Sequence, residues 1–113
     1  MGCRMKIKCT RQPEEYPLDR FIRKNIWVRA NDVYSGDVYI KITGKTVGFG
    51  HDLCYILEEI PAYYIEDPGD YDDIDLNEII TKWTCNINNI IPTIPFETLT
   101  TKELYEILGV SGQ

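Results

Sequence analysis

The feature that most constrains the fold is a strict alternation of apolar and polar side chains before the middle of the chain. Val38, Ile40 and Ile42 stand at every second position, which is the spacing that places side chains on one face of a β-strand. A second strand-like run, residues 26–33, precedes them and is separated from them by a short connection that contains Gly36. Two such runs around a glycine-containing turn predict an antiparallel β-hairpin.

More short strands are predicted downstream, over residues 46–49, 53–60 and 62–65, with Gly44–Lys45 as the turn before the first of them. Sequential short strands joined by tight turns are typical of an antiparallel meander, which can curl into a small barrel. The predicted fold class is therefore α+β, built on an antiparallel β-meander or a small SH3-like or OB-like barrel. We expect a single domain over residues 1–113.

Helical segments are predicted on both sides of this sheet. Residues 17–24 carry apolar side chains at helical spacing and begin with proline, which suits the first position of a short N-terminal helix. Near the C-terminus, Thr100 and Glu103 form a capping box, and Gly109 supplies the stop signal. We therefore expect the meander to be followed by C-terminal helical segments.

A further capping box, Asp75 with Glu78, leaves two interpretations open for the residues that follow it. The apolar side chains over residues 76–87 fall on one helical face, which predicts a helix. Thr84 and the asparagines around it are poor helix formers. The alternative is therefore a helix that ends near Trp83 and continues as a strand.

The bulk composition indicates a soluble globular protein. The 113 residues are 43% hydrophobic and 12% aromatic, which is sufficient for a core. No apolar run approaches the roughly 18 residues of a membrane-spanning helix, and the charged N-terminus lacks the apolar region of a secretory signal. The four cysteines predict free thiols in a cytoplasmic protein; they are Cys3, Cys9, Cys54 and Cys85.

Charge is distributed unevenly along the chain. The net charge is −6, yet residues 1–45 hold ten Lys and Arg against five Asp and Glu. Residues 46–81 hold no Lys or Arg and ten Asp and Glu. Such a segment repels nucleic acid and attracts basic proteins, because like charges sum to a directed field. The alternative is a solvated segment that the basic N-terminal part neutralises.

Tyrosines interleave with these carboxylates and complete a candidate partner-binding surface. Tyrosine is favoured at binding surfaces because it offers a large, stiff side chain with a hydroxyl. The candidate residues are Glu58, Glu59, Tyr63, Tyr64, Glu66, Asp67, Asp70, Tyr71, Asp72 and Asp73. The alternative for the tyrosines is half-buried packing.

Motifs for nucleotide and metal binding are incomplete. The segment that begins at Gly44 imitates the end of a phosphate-binding loop, but Tyr39 stands where that loop requires glycine. Residues 67–78 have the length of an EF-hand loop, but Gly69 and Tyr71 stand where oxygen ligands are required. We therefore predict no metal site and no cofactor.

Catalytic constellations are also missing from the sequence. His51 and Cys54 are three residues apart, so on a strand they would point to opposite faces and would not meet as base and nucleophile. The adjacent carboxylates Glu58 and Glu59 would not face each other as a paired acid and base. We therefore predict that the chain is not an enzyme and has no catalytic residues.

The sequence thus predicts a non-enzymatic binding protein that presents its acidic, tyrosine-containing surface to a basic protein. A concrete version is an inhibitor that imitates nucleic-acid phosphates in front of a nucleic-acid-binding protein. In size, acidity and lack of catalytic residues the chain resembles small phage-encoded inhibitors, including anti-CRISPR and anti-restriction proteins. This likeness is one of character, and it assigns no residues. Direct nucleic-acid binding and membrane partners are not expected, since the net charge is negative.

Two alternatives belong to other functional classes. One is a structural or adaptor module, a small β-barrel in a larger assembly such as a phage particle, with the apolar residues 87–96 as its contact. The other is a domain that binds a cation or another ligand weakly through its clustered carboxylates. The oligomeric state and the identity of the partner stay open.

Overall fold

The computed structural model describes residues 16–67 and 75–109, which form one antiparallel sheet with short helices. The strands are β1 (Ile26–Asp32), β2 (Gly36–Val47), β3 (Leu53–Pro61), β4 (Thr81–Asn86), β5 (Ile90–Pro92) and β6 (Thr98–Thr100). The α-helical segments are α1 (Tyr63–Glu66), α2 (Leu76–Ile79) and α3 (Thr101–Leu108). Turns of 3-10 helix occupy Pro17–Phe21, Phe49–His51 and Ile87–Asn89. The α+β class is confirmed.

The predicted hairpin is formed by β1 and β2. Asp32 pairs with Gly36 at the turn, and Val28 pairs with Ile40 further along. Gly36 has a φ of 82°, a left-handed conformation that glycine adopts without a steric penalty. The turn and the alternating apolar residues therefore specify the same register.

The strand order is β4-β3-β2-β1-β5, with β6 also beside β1. β6 pairs with the first half of β1 and β5 with its second half. Between them, the Arg29 amide donates to the Glu97 carbonyl at 2.8 Å, and the Thr93 amide donates to the Arg29 carbonyl at 3.2 Å. The described ladders end at β4 on one side and at β5 and β6 on the other, and closure into a barrel is not among them.

The sheet is buried on both faces. One face carries the N-terminal core, against which the Pro17–Phe21 turn packs; its buried members are Leu18, Val28, Ala30, Val38, Ile40, Ile42, Tyr55, Leu57, Cys85, Ile87 and Ile90. The other face carries the helical core, which includes residues of α1 and α3; its buried members are Trp27, Tyr39, Ile60, Ala62, Ile65, Leu104 and Leu108. Adjacent strand residues such as Trp27 and Val28 belong to different cores because side chains alternate across a strand.

One predicted turn and one predicted strand need correction in the β2 region. Gly44–Lys45 is not a turn, and residues 46–49 are not a separate strand, since β2 runs through to Val47. The register with β3 shifts between Ile42 and Gly44, so Thr43 is the extra residue of a bulge. The chain reverses at the Phe49–His51 turn instead.

The segment over residues 62–65 was predicted as a strand and is the helical turn α1. The Ala62 amide still donates to the Asp37 carbonyl at 2.9 Å, and the chain then turns so that Ile65 is buried in the helical core. After Asp75, the helical interpretation holds for the single turn α2, and the strand alternative is confirmed by β4. In both segments, tertiary packing rather than local propensity decides the structure.

The local signals at the two ends of α3 are confirmed. Thr100 and Glu103 form the predicted capping box of α3, and Gly109 ends the helix with a φ of 75°. The predicted N-terminal helix is a short 3-10 turn with Pro17 at its start. No helix within the described ranges, 16–67 and 75–109, is both long enough and apolar enough to cross a bilayer.

Candidate partner-binding surface

Arg29 gathers carboxylates from three separate parts of the chain. It lies in β1 between buried Val28 and Ala30, so its side chain is on the face of the helical core. Asp37 at the start of β2 approaches its guanidinium at 3.2 Å, and Glu97 before β6 approaches it at 3.7 Å. Glu66 at the end of α1 forms the third ion pair.

This cluster has more negative than positive charge. The Arg29 side chain is only 19% exposed, whereas the Asp37 side chain is 62% exposed, so the carboxylates lie toward solvent. Burial raises the pKa of the neighbouring Tyr39, and the charges of Glu66 and Glu97 raise it further against the opposing effect of Arg29. The field at this point is therefore net negative although a guanidinium stands at its centre.

Two tyrosines of α1 lie beside these carboxylates. The Tyr63 and Tyr64 rings are stacked with their centroids 4.6 Å apart. Tyr63 is 57% exposed, whereas Tyr64 packs against the helical core. Asp67 follows directly and is exposed. We call Asp37, Tyr63, Glu66, Asp67 and Glu97 the acidic surface.

Glu58 lies on the same face of the sheet but is paired differently. Its carboxylate is 3.8 Å from Lys41 of β2, and in the register of β4 it stands opposite Lys82. Both Glu58 and Lys41 are largely buried at the side chain. Glu58 is therefore balanced by cations of its own sheet rather than offered to solvent.

The placement of Glu59 in the candidate surface needs correction. Glu59 is 5% exposed and follows the alternation of Leu57, so it lies on the N-terminal-core face, opposite the acidic surface. Trp83 Nε1 donates to Glu59 Oε1 at 3.2 Å. A side chain enclosed in this way cannot touch a partner of the folded protein.

The remaining candidates, Asp70, Tyr71, Asp72 and Asp73, lie outside the described residues. The structure thus brings together Tyr63, Tyr64, Glu66 and Asp67 of the sequence-based set, and separates Glu58 and Glu59 from them. The weak-cation alternative depended on residues 67–78, most of which are also outside the described ranges. Within those ranges, no group of three or more His, Cys, Asp or Glu could hold a metal ion.

Sequence reasoning missed Arg29, Asp37 and Glu97. Arg29 did give a signal, because it is a charged residue in the middle of an apolar strand and stands in the opposite phase from Val28. Asp37 directly follows the turn glycine, so its position beside β1 could have been found from the hairpin register. The sequence gave no signal for Glu97, since it is the pairing of the chain around β5 and β6 that brings Glu97 to Arg29.

In comparisons with known proteins, no family model matches the chain, and neither a curated protein nor a solved structure matches it significantly.

Proposed function

We propose that this chain is a non-enzymatic binding protein whose acidic surface engages a basic protein. The observation that carries the proposal is the arrangement of three carboxylates around the single guanidinium of Arg29. One cation cannot balance three anions, so the surface has charge left for a partner's lysines and arginines. The exposed ring of Tyr63 would supply the apolar contact that such an interface needs at its centre.

The carboxylates are held by different elements, and this favours a specific interface over diffuse attraction. Asp37 is fixed by the β1–β2 hairpin, Glu66 by α1 and Glu97 by the segment before β6. Charges that are held in place before binding lose little conformational freedom when the partner arrives. A fixed row of anions is also what a nucleic-acid-binding protein recognises along a phosphate backbone. An inhibitor that imitates nucleic acid is therefore the specific form of the proposal.

The experiment compares two charge-matched double variants in a pull-down from native lysate. Asp37→Asn with Glu97→Gln neutralises two carboxylates of the acidic surface and keeps the Arg29–Glu66 ion pair. Asp52→Asn with Glu106→Gln removes the same charge from two exposed positions outside that surface. We expect the first variant to lose a partner that the wild type and the second variant retain.

Salt and nucleic acid supply the discriminating washes. A partner held by the acidic surface should be released at high salt, because screening weakens exposed charge pairs. Added duplex DNA should release it too if the chain imitates nucleic acid. The proposal would be refuted if the wild type and both double variants retained the partner equally, both at high salt and after addition of duplex DNA.

A second candidate is a small-barrel structural or adaptor module that uses residues 87–96 as its contact. Ile91 is 56% exposed and Ile94 is 68% exposed, which is unusual for isoleucine next to a sheet edge. Ile91 also lines a cavity of about 210 Å³, together with residues of the 16–18 segment, Tyr55 and other residues of the 87–92 segment. Ile91→Ser with Ile94→Ser should abolish binding under this candidate and leave it unchanged under the first.

A further inference from the structure

Asp32 and Glu59 form a pair of buried carboxyl groups on the N-terminal-core face. Asp32 is 1% exposed and Glu59 is 5% exposed, and burial together with the neighbouring Asp32 carboxyl raises the pKa of Glu59. They come from β1 and β3, which lie on either side of β2. Two ionised carboxylates this close and this far from water would repel each other strongly.

The hydrogen bonds around the pair leave one oxygen without a donor. The Tyr34 amide donates to Asp32 Oδ1 at 2.8 Å, and Trp83 Nε1 donates to Glu59 Oε1 at 3.2 Å. Asp32 Oδ2 is fully buried and receives no N–H or O–H donor from the rest of the described chain. A buried acceptor of this kind is normally paired, and here the group in reach is a second carboxyl.

We propose that Asp32 and Glu59 share one proton in mildly acidic solution, and that this carboxyl–carboxylate hydrogen bond is a pH-sensitive latch holding the β1–β2 turn against β4. The proton on Glu59 gives Asp32 Oδ2 its missing donor and reduces the pair to one negative charge. The latch spans the sheet because Tyr34 of the turn contacts Trp83 of β4 edge to face, with the ring centroids 6.3 Å apart. Trp83 therefore contacts Glu59 through its indole N–H and the turn through the ring of Tyr34.

Within residues 16–67 and 75–109, no cation forms an ion pair that would keep both groups ionised. None of the ion pairs among the described residues includes Asp32 or Glu59. From β4, the pair is faced by Trp83 and by the thiol of Cys85, whose pKa is raised to about 12 by burial and by the two carboxyls. From β2, the residue opposite Glu59 is Ile40, and from the turn Tyr34 and Ser35 interact with the pair.

Burial raises the pKa of Glu59 from 4.5 to about 7, and Asp32 adds to this shift. The folded protein therefore takes up a proton that the unfolded chain has released. The stability contributed by the protonated pair is fully present below the unfolded value near 4.5 and is lost as the pH rises through about 7. The latch closes in mildly acidic solution and loosens above neutral pH.

NMR of the wild-type protein tests the proton directly. Among the glutamate side-chain carboxyl carbons, we expect one to titrate with a midpoint near pH 7 instead of near 4.5. The Trp83 indole N–H signal should shift with the same midpoint because it donates to Glu59. The Trp27 indole is the internal control, since it has no partner among the described residues and should stay unchanged.

Two neighbouring variants separate the latch from general acidity. Glu59→Gln keeps a donor for Asp32 Oδ2 and cannot titrate, so its melting temperature should depend less on pH between about 5 and 8 than that of the wild type. Glu58→Gln changes the adjacent residue on the opposite face and should retain the wild-type dependence. The proposal is overturned if every wild-type carboxyl titrates in the ordinary acidic range, or if Glu59→Gln retains the wild-type pH dependence.

Discussion

Tyr55 shows how one buried hydroxyl connects the sheet to the N-terminal segment. The ring is fully buried in β3, and the hydroxyl donates to Asp19 Oδ1 at 2.6 Å. Lys45 Nζ reaches the other carboxylate oxygen at 2.8 Å. Burial opposes the ionisation of Asp19, yet hydrogen bonds from Lys45 and Tyr55 outweigh it and lower the pKa of the carboxyl. The Pro17–Phe21 turn is therefore fixed to the sheet by a charge-assisted hydrogen bond.

Tyr55→Phe should weaken this attachment and little else. The variant keeps the ring in the core and removes one hydrogen bond to a charged group, so we expect a loss of about 2 kcal/mol in the free energy of unfolding. Urea denaturation measures it. Tyr34→Phe is the control, because that side chain is 73% exposed and should change stability by less than about 0.5 kcal/mol. Equal stability of all three proteins would contradict the role of the Tyr55 hydroxyl.

Single residues also show where the sequence held information that was not used. Asp32 stands two positions after Ala30, and Glu59 two positions after Leu57, so each follows the phase of the buried residues in its own strand. A carboxylate in that phase predicts a buried acid that needs a partner. Which acid pairs with which could not be predicted, because the contact crosses β2 and depends on the shape of the whole sheet.

At the scale of elements, the β1–β2 hairpin depends on a backbone conformation that glycine supplies. Gly36→Ala should cost about 1 kcal/mol, because a Cβ at positive φ is strained even where space is available. Space is available here, since no atom lies within 4 Å of the added Cβ. Gly44→Ala is the matched control within β2: its Cβ would meet Ile56 at an ordinary 3.4 Å. Thermal unfolding should separate the two variants, and equal losses would contradict this reason.

The capping box of α3 is a second local device. Thr100 Oγ1 accepts from the Glu103 amide at 3.0 Å, and the Glu103 carboxylate accepts from the Thr100 amide at 2.8 Å. Thr100→Ala should destabilise the protein by about 1 kcal/mol, because α3 contributes buried Leu104 and Leu108 to the helical core. Chemical denaturation followed by circular dichroism measures this loss. Thr98→Ala, in exposed β6, is the control; a loss as large as that of Thr100→Ala would assign the effect to the sheet.

The elements that sequence reasoning found are those with local causes. The hairpin turn at Gly36 and the α3 cap at Thr100 are both set by residues close together in the chain. The strand predicted over residues 62–65 was wrong, and residues 76–87 were left open between helix and strand, because local propensities alone do not decide either segment. Burial of Ile65 against the helices and pairing with β3 decide them, and both interactions arise from distant parts of the chain.

At the scale of the whole molecule, only some of the carboxylates in the acidic segment, residues 46–81, contribute to the acidic surface. Of the acids in residues 46–81, Glu58 is paired with Lys41 and Glu59 is buried. The acidic surface instead gains Asp37 and Glu97 from outside that segment. Composition therefore indicated that the surface carries negative charge. Which residues form it depends on which strands pair with β1.

The most direct test of the proposed function is the salt dependence of binding to the captured partner. The dissociation constant should be measured at several salt concentrations for the wild type, for Asp37→Asn with Glu97→Gln, and for Asp52→Asn with Glu106→Gln. We expect weaker binding and a shallower salt dependence for the first variant alone, since neutralising a contacting charge removes an attraction that salt screens. Equal affinities and equal slopes for all three proteins would contradict it.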